Sequence, residues 1–204
     1  RLAEYEKIME EQYLRFAKAH GLTLSAEKSA VSANMQTASA VYEYYNKIYE
    51  LFFMNFKQES YFLSAMMKDD ISAIDQNRQA LQTSAEKALE TLDTMPQFRR
   101  DNHVRNSCRR LLQFYRKEAS DVLGDAADFF VEKDNVNKLH EAYLAKKESE
   151  RTAEDKALYV EALVHFTERS DKFRKDYESL ESKRHALLAS FNRAGENFIR
   201  RNVP

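Results

Sequence analysis

The chain has 204 residues and a net charge of −1, with 43% apolar and 32% charged residues, a composition typical of a globular or elongated helical protein. Only three Gly and two Pro occur, against average usage of about 7% and 5%, so loops are expected to be few and short. The glycines are isolated, which excludes dinucleotide and phosphate-binding loops. The near-zero charge gives no general attraction to nucleic acid or anionic membranes.

A transmembrane segment is not expected, because no stretch approaches about 18 uncharged apolar residues. The most apolar stretch, residues 41 to 66, is interrupted by Glu43, Lys47, Glu50, Lys57 and Glu59. The chain starts at Arg1 inside a helical pattern. We interpret this start as a mature or trimmed form whose targeting segment, if any, has been removed.

Two helices are expected in the first third of the chain. The first spans residues 2 to 20 and ends at Gly21, and Ser25 is the expected N-cap of the second. The second continues to about Lys68, which gives about 60 Å at 1.5 Å per residue. Its apolar stripe follows steps of four and three: Val31, Met35, Ala38, Tyr42, Tyr45, Tyr49, Phe52, Phe56, Glu59, Leu63 and Met66.

Two further helices are expected in the middle of the chain. The third is capped by Asp69 or Asp70 and ended by Pro96. The fourth starts near residues 101 to 102 and continues to Phe130, with Gly124 marking a close helix contact or a bend. A polar break at residues 133 to 137 and a shorter helix over residues 136 to 149 are expected to follow.

The strongest periodic signal lies in the last fifty residues. Thr152 and Asp155 resemble a capping box, and the helix after them is expected to run to about Arg201. Its stripe is spaced 4, 3, 4, 3 throughout: Tyr159, Leu163, Phe166, Ser170, Phe173, Tyr177, Leu180, Arg184, Leu187, Phe191, Ala194 and Phe198. A period of 3.5 residues stays on one helix face only where helices pack lengthwise. The sequence therefore predicts one all-α domain over residues 1–204, an elongated antiparallel bundle of four long helices plus shorter ones, with coiled-coil-like packing.

No catalytic, cofactor or metal site is expected. Glu161 with His165 and Glu181 with His185 have the spacing of helical metal ligands, but they lie outside the stripe and about 30 Å apart, which favours surface contacts. Cys108 lies on an apolar face without an adjacent base, so we interpret it as a buried structural thiol.

An arginine-rich run over residues 99 to 117 has two interpretations. Arg105, Arg109 and Arg116 share one helix face and form a possible patch for anionic ligands. The preceding helix is acidic, however, so pairing between the two neighbouring helices also explains the run.

The aromatic residues are densest in the second helix. One stripe does not account for Tyr44 and Phe53 together with the stripe residues, so this helix is either buried on more than one side or exposes a surface for a partner. The first helix and another element are the expected cover. The alternative is a partner or ligand surface formed by Tyr42, Tyr44, Tyr45, Tyr49, Phe52, Phe53 and Phe56.

Arg184 and Ser170 are the polar exceptions in the last stripe. If buried, Arg184 requires a carboxylate partner. At an end of the bundle its guanidinium would instead reach solvent along the side of the helix.

A pattern of apolar positions resembles a known family. It consists of Leu92, Met95, Phe98, Asp101, the run Leu111-Leu112-Gln113-Phe114-Tyr115, and then Phe173, Leu180, Phe191, Ala194 and Phe198. The pattern resembles uncharacterised helical surface proteins and lipoproteins of bacteria, labelled after a leptospiral surface protein, over about residues 40 to 200. The resemblance implies export to the periplasm, outer membrane or cell surface, often behind a lipidated Cys that this chain lacks. It implies no catalytic residues.

Three functional hypotheses follow. The leading one is a non-enzymatic bacterial surface or periplasmic protein that binds a protein or cell-envelope partner, with no nucleic acid involved and a lipid anchor possible upstream. A second is a carrier of a hydrophobic small molecule in the bundle core near residues 42 to 56. A third is a metal-dependent bundle enzyme.

Overall fold

The computed structural model describes residues 2–22, 30–122 and 124–204, and these parts of the chain are helical apart from short connections. The elements are α1 (Leu2–Ala19), α2 (Ala30–Met67), α3 (Ile71–Thr94), α4 (His103–Lys117), a π-helical turn (Glu118–Val122), α5 (Ala126–Ala145), a 3₁₀ turn (Glu148–Glu150) and α6 (Ala153–Asn202). No strand occurs in the described ranges; an isolated bridge joins Phe98 to Asp101. The all-α bundle is confirmed.

The helix ends follow the local sequence signals. Gly21 has φ of +62°, the left-handed conformation expected where α1 ends. Asp70 caps α3 by accepting a hydrogen bond from the Ala73 backbone N–H. Thr152 and Asp155 form the expected capping box at the start of α6. The proposed N-cap Ser25 lies outside the described residues.

Helices α2 to α6 surround one core, with antiparallel pairs along most of its length. The ring of Phe52 contacts Phe191, whereas Tyr44 contacts Phe198, so α2 and α6 run in opposite directions. Most of the predicted α6 stripe faces this core: Leu180, Arg184, Phe191 and Phe198 are buried, and Leu163 is an exposed exception.

The prediction of a fourth helix continuous to Phe130 is wrong, although the bend expected at Gly124 is present. The backbone widens into the π-helical turn at Glu118, and a Cβ on Gly124 would lie 2.6 Å from the carbonyl oxygen of Ser120. A π-helical turn changes the number of residues per turn and redirects the chain that follows.

The predicted break at residues 133 to 137 is also wrong, because α5 passes through it without interruption. Its polar side chains find partners on the helix surface. The Lys133 ammonium lies 2.7 Å from the Asp69 carboxylate, and Lys138 pairs with Asp134 one turn away. Val136 continues the buried side of the helix.

Candidate functional site

The seven aromatic residues of α2 that were predicted as one surface are divided by the fold. Tyr44 and Phe52 are buried, so assigning them to a surface was wrong. Tyr45 is half-buried. Tyr42, Tyr49, Phe53 and Phe56 are exposed. The expectation that other elements cover this whole set is therefore wrong for these last four.

The buried pair is held by contacts across the bundle. The Tyr44 hydroxyl donates a hydrogen bond to the Pro96 carbonyl at 3.0 Å, and burial raises the pKa of Tyr44 above its usual value. The centroid of the Phe52 ring lies 4.7 Å from that of Phe191. The core side of α2 thus agrees with the predicted stripe only at Phe52, Glu59 and Met66. The buried residues of this helix are Val41, Tyr44, Ile48, Phe52, Asn55, Glu59, Phe62, Ala65 and Met66.

An exposed apolar line remains on α2 beside that core side. We call it the α2 seam, and it consists of Met35, Tyr42, Tyr49, Phe53 and Phe56, whose exposed fractions are 68%, 46%, 39%, 43% and 36%. Four of the five recur every seventh residue, and the rings of Tyr49 and Phe53 stack with centroids 6.0 Å apart. A seven-residue repeat is the spacing of a helix seam that packs lengthwise against another helix.

Helix α1 carries a second exposed apolar line. We call it the α1 face, and it consists of Tyr5, Ile8, Met9, Tyr13 and Phe16, each more than half exposed. At 100° per residue these positions fall on one side of the helix, with Lys7, Glu11 and Lys18 opposite. The described side chains of α1 therefore leave the α2 seam exposed, although both surfaces belong to the same molecule.

The predicted anion patch is largely engaged within the bundle. The Arg109 guanidinium pairs with Asp93 of α3, which confirms pairing between these two helices. Arg105 donates a hydrogen bond to the Met95 carbonyl and is only partly exposed. Arg116 is exposed. The three side chains therefore do not form one free cationic surface.

A buried polar cluster lies where α2, α6 and the π-helical turn meet. The Arg184 guanidinium donates to the carboxylates of Glu59 and Glu118, and the three side chains are 7%, 2% and 0% exposed. Arg184 therefore has the carboxylate partner that burial requires. Glu118 was missed because the predicted helix gave no reason to turn it inward. The sequence signal for this cluster was the presence of a charged residue within each of two apolar stripes, Glu59 in α2 and Arg184 in α6.

Desolvation dominates the electrostatics of this cluster. Burial, followed by the charge of Glu118, raises the pKa of Glu59 to about 8. Burial also raises the pKa of Glu118, against the opposing effect of Arg184. Tyr115 lies against the same carboxylates, and burial followed by their charges raises its pKa. Because all four side chains are enclosed, the cluster joins helices rather than offering groups to a substrate.

The Glu and His pairs that have the spacing of helical metal ligands make other contacts or lie apart in the fold. The Nδ1 atom of His165 lies 2.7 Å from Glu132, whose other oxygen accepts a hydrogen bond from Arg169 at 2.6 Å. Glu132 and His165 flank an open groove of about 720 Å³ between α5 and α6, lined by Val136, Leu139, Leu158 and Ala162 among others. Within the described ranges, no group of three His, Cys, Asp or Glu side chains is placed to hold a metal ion.

Cys108 is buried, as expected. Its side chain is 0% exposed, and burial raises the pKa of the thiol to about 12. The sulfur lies 3.7 Å from the Ile48 carbonyl oxygen.

None of the described helices combines the length and the apolar character that crossing a membrane requires. No family model, curated protein or solved structure matches the chain. The resemblance to bacterial surface proteins therefore stays a prediction.

Proposed function

We propose that this is a non-enzymatic protein that binds an amphipathic helix of a partner lengthwise along the α2 seam. The observation that carries the proposal is the seven-residue repeat of exposed apolar side chains at Met35, Tyr42, Tyr49 and Phe56. A seam with this period supports a helical partner, because only a helix packed lengthwise meets every repeat.

The surroundings of the seam also favour a helical occupant. Tyr45 lies between the seam and α6, and a Cβ on Gly195 of α6 would lie 2.7 Å from the ring of Tyr45. The close approach at Gly195 places α6 beside the seam. Aromatic side chains in such a position are the residues that most often dominate binding energy at protein interfaces.

The proposed place of action is the bacterial periplasm or surface, with a cell-envelope partner. This part of the proposal is supported only by the resemblance to surface proteins and lipoproteins. Fractionation of the native host with an antibody against the chain tests it: we expect the protein in the envelope or periplasmic fraction, and recovery with the cytosol would contradict it.

Site-specific photo-crosslinking tests the binding surface. A benzoylphenylalanine at position 49 is compared with the same residue at position 61, since Tyr61 is 49% exposed but lies about 120° away around α2. Irradiation in the native host is followed by sequencing of the crosslinked peptide. We expect position 49, and not position 61, to crosslink to one amphipathic helical segment. Equal crosslinking at both positions, or crosslinks at position 49 to unrelated peptides, would overturn the proposal.

A further inference from the structure

We infer that the occupant of the α2 seam is helix α1 of a second copy of this chain, and that two copies exchange α1 reciprocally. The inference rests on the proposed function and names its partner. It starts from the two exposed surfaces of one molecule, the α2 seam and the α1 face, neither of which is covered by the described residues of its own chain.

The spacing of the two surfaces matches when the helices run antiparallel. Going backward along α1, Phe16, Met9 and Tyr5 are separated by steps of seven and four. Going forward along α2, Tyr42, Tyr49 and Phe53 are separated by the same steps. One antiparallel register therefore places Phe16 on Tyr42, Met9 on Tyr49 and Tyr5 on Phe53 simultaneously. Side chains that lie at matching heights along two antiparallel helices can pack between one another along both helices.

The same register brings opposite charges together. In the antiparallel orientation, the right-handed twist of both helices puts Arg15 on the edge of the seam that is bounded by α6. Exposed Glu196 follows Gly195, the residue of α6 that approaches the ring of Tyr45 at this edge. A parallel α1 would turn Arg15 away from Glu196. The charge pattern therefore selects the orientation that the apolar spacing also selects.

The available area is sufficient for a stable dimer. Met35 lies beyond the end of α1 in this register. At about 200 Å² for each large apolar side chain, the exposed fractions of the other residues of the two surfaces add up to roughly 1,800 Å² over two equivalent contacts. Stable protein interfaces bury about 1,200–2,000 Å² in total. A one-sided contact, in which one α1 covers one seam, would bury about half of this area. Reciprocal exchange, in which both copies form this contact, is therefore favoured.

Reciprocal exchange also explains why both surfaces occur on one chain. A surface that fits a different surface of the same molecule produces open chains of molecules unless the contact closes on itself. If each of two copies donates α1 to the other, every α1 face and every α2 seam is covered, and the assembly has twofold symmetry and stops at two. Exposed apolar surfaces of this size are uncommon on isolated proteins.

Native mass spectrometry and light scattering of the full chain test the inference. We expect a dimer of the 23.9 kDa chain at micromolar concentration. Met9→Glu on the α1 face and Tyr49→Glu on the α2 seam are each expected to raise the dimer dissociation constant at least about 100-fold. Tyr61→Glu, on another side of α2, is the matched control and is expected to leave the dimer unchanged. Circular dichroism checks that each variant retains its helices.

Mixing the Met9→Glu variant with the Tyr49→Glu variant provides the sharper test. The Tyr49→Glu chain has an intact α1 face, and the Met9→Glu chain has an intact α2 seam, so a mixture of them can form one complete contact. We expect a heterodimer in the mixture at a concentration at which neither variant alone forms a homodimer. This heterodimer should have a higher dissociation constant than the wild-type dimer. A distinguishing tag mass on one chain identifies it in the mass spectrum.

Three outcomes would overturn the inference. If the wild-type chain remains monomeric at 100 times the micromolar concentration of the first test, a second copy does not occupy the seam. If Tyr61→Glu abolishes the dimer as strongly as Tyr49→Glu does, the seam is not the contact. A dimer that is lost with Met9→Glu but kept with Tyr49→Glu would mean that α1 pairs with α1. The proposed function would survive the first outcome if position 49 still crosslinked to a helix of another protein, so the two failures are distinguishable.

Discussion

The guanidinium of Arg184 in α6 donates a buried hydrogen bond to the carboxyl group of Glu59 in α2, although 125 positions separate them in sequence. The same guanidinium pairs with Glu118, where α4 gives way to the π-helical turn. The Arg184 guanidinium therefore donates hydrogen bonds to two enclosed carboxyl groups. It joins α6 to α2 and to the π-helical turn. The stability of the bundle is expected to depend on this arrangement in two measurable ways.

Removal of the cation is the first prediction. Arg184→Met preserves much of the side-chain volume but leaves the two carboxylates without their common partner, and we expect the free energy of unfolding to fall by about 3–5 kcal/mol. Urea unfolding followed by circular dichroism measures it. If the single variant does not fold, the triple variant Arg184→Met, Glu59→Gln, Glu118→Gln provides the measurement. It is expected to be more stable than Arg184→Met alone, since no buried charge remains.

Arg174→Met is the matched control for this loss. Arg174 also lies on α6 and also pairs with two carboxylates, those of Asp171 and Glu178, but all three side chains are about 60% exposed. Exposed ion pairs are screened by solvent and contribute little net stability, so we expect only a small change. Equal losses for Arg174→Met and Arg184→Met would contradict the view that enclosure makes the buried cluster important.

The second prediction concerns pH. The pKa of Glu59 is about 8 in the folded protein against 4.5 for the ordinary group, so the native state binds more protons than the unfolded state between these values. Stability is therefore expected to fall as pH rises from about 5 to 8, by at most about 1.4 kcal/mol per pH unit for one proton. Glu59→Gln, which stays neutral, should flatten this profile in urea unfolding, whereas Glu161→Gln on the exposed surface should not. Parallel profiles for the wild type and Glu59→Gln would contradict the assignment.

How far the sequence determined the fold is best seen by comparing α6 with α4. The 4–3 spacing of α6 predicted both its length and its core side, because a long helix with one apolar stripe has few alternatives. The end of α4 could not be predicted in the same way. Glu118 is an acidic residue whose burial depends on Arg184, 66 positions away, and helix propensity contains no information about that contact.

The core side of α2 illustrates a different limit. Two apolar lines run along this helix, and the period of 3.5 residues identified the line that contains Tyr42 and Tyr49. The bundle buries the adjacent line through Ile48 and Phe62, because α3, α4 and α6 approach from that side. The predicted stripe reaches this core only at Phe52, Glu59 and Met66. Sequence periodicity locates apolar lines, but only tertiary packing decides which of them becomes the core. The line left exposed is the one on which the proposed function rests.

The third prediction tests the close approach of α6 to the edge of the seam. A Cβ added at Gly195 would lie 2.7 Å from Cε2 and 2.9 Å from the hydroxyl of Tyr45. Gly195→Ala is therefore expected to push the outer end of the half-buried Tyr45 ring aside, at a cost of about 1 kcal/mol that is offset by up to about 1 kcal/mol of helix propensity. In a Tyr45→Ala background the ring is absent, so the same substitution should be stabilising. An unchanged effect of Gly195→Ala in both backgrounds, measured by urea unfolding, would exclude the steric contact.

The fourth prediction concerns the first half of α6. Within the described chain no residue from 153 to 179 is buried, and the contacts of this half run mainly to α5, as in the stacking of Phe129 on Phe173 at 4.2 Å. From Leu180 onward, α6 lies against α2 and α4 as well. A two-helix arm buries less apolar surface than the bundle does, so it should open locally at a lower free energy. We expect backbone amides of residues 157 to 170 to exchange with deuterium at least about tenfold faster than those of residues 184 to 198.

Glu132→Gln sharpens this test, because Glu132 of α5 holds both His165 and Arg169 of α6. Loss of its charge should speed exchange in residues 157 to 170 further and leave residues 184 to 198 unchanged. Glu141→Gln is the matched control, since Glu141 is an exposed carboxylate of the same helix. Equal protection of backbone amides from exchange along the whole of α6 would contradict separate opening of the two-helix arm. Faster exchange of residues 184 to 198 in Glu132→Gln would mean that both halves of α6 unfold as one unit.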